Sequence, residues 1–200
     1  MTSQDSSTAG GCASASPALR AVLHDEPIAS FVLPGGSGRQ ALTRLAVKPD
    51  ALRAIGVDAS CPNRVRFAAF EGWIALAGEA VLGSVDDATA AAMAAVQAEA
   101  IRTTDDAGLW GLPPDVVSSD VSRHLIILGR RALPQLRPVL DDTREAPYTG
   151  GEISAIASLR HYRINDLAAG LIAVIVGVPY QNAKTPAERD AQIADLRSKI

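Results

Sequence analysis

The sequence is poor in aromatic residues, in histidine and in cysteine. Phe, Trp and Tyr together make up 4% of the 200 residues, whereas apolar residues as a whole make up 48%, much of it alanine. Alanine has the highest helix propensity and little bulk, while strands are built mainly from β-branched and aromatic side chains. The composition therefore argues against a strand-rich protein and predicts an all-α fold whose helices approach one another closely.

The two cysteines, Cys12 and Cys61, stand far apart in the chain. Neither belongs to a C-x-x-C motif or to a cluster of cysteine and histidine with metal-ligand spacing. Cys12 falls in a segment that we expect to be disordered, so the sequence does not predict a structural disulfide. A reducing cytoplasm is then the simplest location, because disulfides persist mainly in oxidising compartments.

The sequence also lacks a long apolar run and a block of basic residues. The strongest apolar stretch, residues 167–178, is shorter than the ~20 residues that a membrane-spanning helix needs, so no membrane partner is expected. The net charge is −3. Without a Lys/Arg block, nucleic-acid binding is not expected either. Four arginines remain candidates for a local basic patch: Arg137, Arg144, Arg160 and Arg163.

No catalytic or cofactor motif is present in the sequence. The three histidines, His24, His124 and His161, are separated, and there is no G-x-S-x-G nucleophile elbow. The glycine-rich residues 35–38 lack the lysine of a phosphate loop. The sequence therefore predicts no catalytic residue and no cofactor, and we expect His124 to be a hydrogen-bonded, half-buried side chain on an apolar helix.

Helix starts and stops are marked along the chain by proline, aspartate and glycine. Residues 1–17, rich in Ser, Thr, Gly and Ala, predict a disordered tail. Residues 18–200 predict a single α-helical domain. Apolar periodicity places its helices at residues 18–26, 39–47, 49–56, 65–85 (divided at Gly78), 87–101, 120–128, 133–140, 153–159, 167–176 and 186–200.

Residues 125–142 carry a helical-hairpin pattern: Leu-Ile-Ile-Leu-Gly-Arg-Arg-Ala-Leu-Pro-Gln-Leu-Arg-Pro-Val-Leu-Asp-Asp. The segment resembles a HEAT-like repeat of bacterial helical-repeat proteins, in which a first helix ends at a glycine and an Ala-Leu-Pro turn opens the second. Gly129 permits a left-handed turn, and Pro134 sets the start of the second helix. A shorter copy of this pattern over residues 76–87 has Gly78 in the place of Gly129.

The resemblance covers roughly residues 65–180 and implies a short right-handed superhelical stack of HEAT-like helical hairpins. In such stacks each hairpin buries its apolar face against the next, and terminal elements act as caps. The implied parts are an N-terminal cap over 18–60, repeat units over 61–142 and 120–180, and a C-terminal helix over 186–200. By analogy of fold, the chain is expected to be a protein-binding or scaffolding module with another protein as its partner.

The expected binding surface surrounds the 141–148 loop and the helix start at 160–166. Cations and aromatic side chains mix there, a composition favoured in interfaces. Trp110, in the long connection over residues 103–119, is either an exposed anchor for a partner or a plug for the helical core. The candidate partner-binding residues are Trp110, Asp141, Asp142, Arg144, Tyr148, Arg160, His161, Tyr162 and Arg163.

An alternative function is a small enzyme or ligand-binding protein with a pocket between the repeat helices. Asp141, Asp142 and His161 would supply its polar groups. The same residues with Glu145 are candidate metal ligands by residue type, but no ligand spacing supports a metal. The favoured interpretation is that the two aspartates cap the following turn, which Asp does readily.

Overall fold

A computed structural model describes residues 11–113, 118–181 and 183–200. Within these ranges the backbone is helical apart from turns, loops and isolated β bridges such as that between Glu145 and Arg163, and it contains no strand. The predicted all-α class is therefore confirmed. The chain divides into two compact units, residues 1–78 and residues 79–200.

The first unit is built around its longest helix. Its helices are α1 (Gly11–Ser14), α2 (Pro17–Asp25), α3 (Ala29–Val32), α4 (Ser37–Arg44), α5 (Pro49–Val57) and α6 (Asn63–Ala77). Helix α6 packs against α2, α3, α4 and α5. Its contact with α5 is close, because a Cβ atom added to Gly56 would lie 2.8 Å from the Phe70 ring.

A disulfide joins Cys12 to Cys61, with their Cα atoms 5.6 Å apart, so the expectation of two unlinked cysteines was wrong. The Cys12 N–H also donates to Asp58 Oδ2 over 3.0 Å. The predicted disordered tail is corrected over residues 11–17, where these contacts hold α1 close to α5. Residues 1–10 of that tail lie outside the described residues. The argument for a reducing cytoplasm from cysteine usage no longer holds.

The second unit is centred on a helix that is buried over most of its length. Its helices are α7 (Asp87–Thr103), α8 (Asp120–Leu128), α9 (Leu133–Leu136), α10 (Gly151–Arg160), α11 (Ile164–Val176) and α12 (Pro186–Arg197). All residues of α11 from 164 to 173 are buried, and α11 packs against α8, α9 and α12. Among the described helices, none has the length and apolar character that crossing a membrane requires.

The segment that resembles a HEAT-like repeat is less regular than predicted. Helix α8 ends at Gly129, whose φ of 62° is left-handed, as the glycine predicts. The predicted second helix over 133–140 is reduced to α9 and the 3₁₀ helices Gly129–Ala132 and Arg137–Asp141. Pro138 explains the break after α9, because it has no N–H to donate to the Pro134 carbonyl, as a continuous helix would require.

In the shorter copy of the pattern over residues 76–87, the first helix ends in a similar way. Helix α6 stops at Gly78, which has a φ of 86° and donates its N–H to the Ile74 carbonyl over 2.8 Å. A 3₁₀ helix, Glu79–Gly83, follows directly, as Gly129–Ala132 follows α8. The two glycines thus share a positive φ and a 3₁₀ turn, whereas the stacking of repeat units stays a prediction.

Candidate functional site

The two segments that were predicted to share a surface lie side by side. The Ala146 N–H donates to the Tyr162 carbonyl over 2.8 Å, and the Ile164 N–H donates to the Arg144 carbonyl over 2.9 Å. The Asn165 N–H donates to the Asp142 carbonyl over 2.9 Å. Residues 142–146 therefore run along the start of α11, and side chains of both segments share one region of the second unit.

The aromatic members of the predicted set are buried there and offer no contact surface. Trp110, Tyr148 and Tyr162 are 1%, 9% and 2% exposed. The Trp110 carbonyl accepts a hydrogen bond from Ser122 Oγ over 2.6 Å, and the Tyr148 hydroxyl donates to the Gly111 carbonyl over 3.1 Å. Trp110 plugs the core, so its interpretation as an exposed anchor was wrong: the Ser122 bond ties its turn to α8, and the Tyr148 bond ties the next residue to the segment before α10.

The polar members of the set pair with different residues. Asp141 bonds to Arg197 over 2.5 Å, and His161 Nδ1 lies 3.3 Å from Glu145 Oε1. Asp142 accepts from the Arg144 N–H over 3.2 Å and also pairs with its guanidinium, which lowers the pKa of Asp142.

The capping interpretation is therefore confirmed for Asp142, whereas Asp141 pairs with Arg197 instead. Among the residues that the structure describes, Asp141, Asp142 and His161 do not share a partner. Within the described ranges, no group of three or more His, Cys, Asp or Glu side chains is arranged to hold a metal ion. These contacts give no support to the alternative pocket.

A buried charge cluster at the start of α11 was not predicted from the sequence. Asp166 is fully buried, and its Oδ2 accepts the Arg163 N–H over 2.9 Å, which closes the first turn of α11. Arg189 Nε lies 3.0 Å from the same oxygen, and the Tyr180 hydroxyl donates to Oδ1 over 3.4 Å. We call this group the Asp166 cluster: Tyr162, Arg163, Asp166, Tyr180, Arg189 and Asp190.

Arg189 joins three helices through this cluster. Its Nη2 donates to the carbonyls of Arg160 and His161 over 2.9 and 2.8 Å, which satisfies the C-terminal end of α10. Its guanidinium also lies over the Tyr162 ring, 4.9 Å from the centroid. Arg163 in turn pairs with Asp190 of α12 over 2.7 Å. Tyr162 and Arg163, predicted as binding residues, therefore hold the fold together instead.

Helix α10, which lies between the two predicted segments in the chain, is the most exposed apolar element of the second unit. Ala157 is its one buried residue. Ile153, Ile156 and Leu159, which we call the α10 stripe, are 49%, 36% and 77% exposed. Clustered exposed apolar side chains of this kind mark interaction sites. The sequence predicted this helix but not its exposure, because the same spacing is typical of a core stripe.

A second polar group surrounds His124, which the sequence placed on an apolar helix. His124 is 4% exposed, and its Nε2 lies 3.4 Å from Glu79 Oε1. Arg123 bonds to the same carboxylate over 2.5 Å and to Asp120 over 2.7 Å, and its hydrogen bond lowers the pKa of Glu79. The prediction of a hydrogen-bonded histidine is confirmed, with deeper burial than expected.

Comparison of the chain with protein-family models, with curated proteins and with solved structures found no match. The chain is thus an all-α protein of two compact units. Its most distinctive surface is the exposed apolar stripe of α10, whose C-terminal end is held by Arg189 of the Asp166 cluster.

Buried Tyr148 and half-buried Tyr180 make the second unit sensitive to alkali. Burial raises the pKa of Tyr148 and of Tyr180 above the ordinary value of 10.0, and nearby Asp166 adds to both shifts. The unfolded chain then releases its tyrosine protons first. Stability is therefore complete below pH 10 and falls as the pH rises further, by up to ~1.4 kcal/mol per pH unit for each tyrosine.

Urea unfolding between pH 9 and 11, measured for the wild type and for Tyr148→Phe and Tyr180→Phe, tests this slope. Each variant is expected to lose stability less steeply with pH than the wild type. Equal slopes in all three proteins would contradict the burial of these hydroxyl groups.

Proposed function

We propose that the chain is a protein-binding module of the HEAT-like helical-repeat type and that it binds its partner through the α10 stripe. The observation that carries the proposal is the exposure of Ile153, Ile156 and Leu159 on one short helix. Burial of apolar surface is the main favourable term in association, at roughly 25 cal/mol per Å² removed from water.

The surroundings of the stripe suit an interface. Protein interfaces combine an apolar centre with a polar rim. At the C-terminal end of α10, exposed His161 and Glu145 supply such a rim, and Arg144 is exposed nearby in the chain. Arg189 holds the carbonyls of Arg160 and His161, so the end of the helix is fixed before a partner arrives. A preorganised surface loses less conformational entropy on binding.

The repeat character of the proposal is supported by local geometry. Gly78 and Gly129 both end a helix with positive φ, and both lead into a 3₁₀ helix. A shared turn of this kind is what a repeated hairpin requires. The expected face changes, however: the candidates Trp110, Tyr148 and Tyr162 are buried, Arg163 is held in ion pairs with Asp166 and Asp190, and the α10 stripe takes their place.

The experiment is an affinity capture from native lysate after chemical cross-linking, with the full chain as bait. Leu159→Glu places a charge at the most exposed position of the stripe and is expected to abolish capture of the partner. Leu33→Glu, which makes the same change at a 57% exposed leucine of the first unit, is the matched control and is expected to retain it.

Both variants alter exposed side chains, so helicity equal to that of the wild type is expected by circular dichroism. A partner that is retained equally by Leu159→Glu and by the wild type would reject the α10 stripe as the binding surface. Loss of capture in both variants would show that the effect is not specific to α10.

A further inference from the structure

The residues of α10 form a palindrome of chemical type about its central residue. Residues 152–160 read Glu-Ile-Ser-Ala-Ile-Ala-Ser-Leu-Arg. Outward from Ile156 in either direction come an alanine, a serine, a branched aliphatic residue and a charged residue. The two ends differ only in the sign of the charge: Glu152 is acidic and Arg160 is basic.

The large members of this palindrome share one side of the helix. At 3.6 residues per turn, Glu152, Ile153, Ile156, Leu159 and Arg160 fall within about one third of the circumference, with Ile156 at the middle. The apolar stripe is therefore bordered by opposite charges at its two ends. The remaining residues of the palindrome are small alanines and serines. The large side chains are therefore all on the face centred on Ile156.

We infer that the partner of α10 is a second copy of this chain, bound antiparallel about a two-fold axis that passes beside Ile156. A two-fold interface is self-complementary, so each residue meets the residue at the same distance on the other side of the axis. Ile153 then packs on Leu159 of the partner subunit, and Ile156 packs on Ile156 of the partner subunit. This inference rests on the proposed function and names its partner.

Charge decides the direction of the pairing. In the antiparallel arrangement Glu152 faces Arg160 of the partner subunit, and the symmetry makes this contact twice. A parallel arrangement would place Glu152 against Glu152 of the partner subunit and Arg160 against Arg160 of the partner subunit. Like charges facing each other disfavour a complex, so the parallel arrangement is disfavoured and the antiparallel one stabilised.

The size of the helix sets the strength of the dimer. Ten residues of helix span about 15 Å, and one such helix buries less than the roughly 800 Å² per partner of a standard interface. The dimer is therefore weak and reversible, and it forms in a concentration-dependent way. Sedimentation velocity of the full chain from about 1 µM to about 1 mM covers the range in which such a complex dissociates.

Charge reversal tests the pairing directly. Glu152→Arg alone and Arg160→Glu alone each place like charges at both ends of the interface, and each is expected to weaken dimerisation at least about tenfold. The double variant Glu152→Arg/Arg160→Glu restores both ion pairs and is expected to dimerise as the wild type does. Asp195→Arg, a reversal on exposed Asp195 of α12, is the matched control and is expected to leave dimerisation unchanged.

Mixing the two single variants gives the sharpest result. An equimolar mixture is expected to form a heterodimer with wild-type affinity, because each acidic pair of one chain then faces a basic pair of the other. The same variants that fail alone succeed together, so a folding defect does not explain the failure.

Two outcomes overturn the inference. One is a wild-type chain that stays monomeric throughout the concentration range, and the other is a double variant as weak as the single ones. If the chain stays monomeric while Leu159→Glu still loses a captured protein that Leu33→Glu retains, the proposed function survives with a different partner. If neither self-association nor selective capture is seen, both proposals fail.

Discussion

Replacing Arg189 by methionine is expected to lower the free energy of unfolding by about 3–5 kcal/mol, because it removes one of the two guanidinium groups that pair with buried Asp166, together with the donor to two carbonyls of α10. Arg189 and Asp166 are each almost fully buried, and Arg189 Nε lies 3.0 Å from Asp166 Oδ2. Methionine fills much of the volume of the arginine stem, so the loss measures the missing guanidinium rather than a cavity.

The contacts of Arg189 with α10 predict a local effect of the Arg189→Met substitution as well. Without its guanidinium, the carbonyls of Arg160 and His161 lose the donor that satisfies the end of α10. Hydrogen exchange over residues 157–163 is therefore expected to accelerate more than global unfolding alone explains. This effect would tie the buried cluster to the exposed stripe that it supports.

Urea denaturation gives the global value, and two variants control it. Lys199→Met removes an exposed ion pair with Asp195 and is expected to change stability by less than about 0.5 kcal/mol. Asp166→Asn combined with Arg189→Met is expected to cost less than the two single changes together, because they share one interaction. A loss below about 1 kcal/mol for Arg189→Met would show that Arg163 and water together compensate for the missing guanidinium.

Helix positions could be predicted from the sequence where local chemistry decides them. Pro17, Pro49 and Pro186 begin helices, and Gly129 and Gly177 end them, as proline and glycine predict. The start of α11 was misplaced by local reasoning. The sequence predicts this helix over residues 167–176, but α11 begins at Ile164, and Asp166 caps it from the third position.

Pairings between distant residues could not be predicted in the same way. Asp166 and Arg189 sit on different helices, and each by itself reads as an ordinary helix-surface charge. Their burial follows from the packing of α12 on α11, which no short-range pattern specifies. The same holds for Cys12 and Cys61, which meet because α1 packs against α5.

In the candidate site, too, some features could be predicted from the sequence and others could not. A surface shared by the 141–148 loop and the 160–166 helix start was predicted, since both segments mix cations with aromatic side chains. The sequence did not predict which of these side chains face solvent, because aromatic residues and arginines suit a core network and an interface equally well. The apolar stripe of α10 was missed for the opposite reason: its spacing is that of a buried helix.

Reduction of the disulfide is expected to lower the free energy of unfolding of the first unit by about 4 kcal/mol, the chain-entropy value for a closed loop of about 50 residues. Cys12 and Cys61 are separated by 49 positions, and the bond holds the short helix α1 against α5. Four residues of helix are far too few to be stable alone, so the turn around Cys12 depends on this link.

Thiol titration of the native protein comes first, and it is expected to find no free thiol, since both cysteines are paired. Urea unfolding with and without reductant then gives the change in stability. The variant Cys12→Ser/Cys61→Ser is expected to have the stability of the reduced wild type, and reductant is expected not to change it. Ser14→Ala, a change on α1 that leaves the loop closed, is expected to behave as the oxidised wild type. Two titratable thiols, or equal stability with and without reductant, would contradict the link, and the sequence-based argument for a reducing compartment would then stand again.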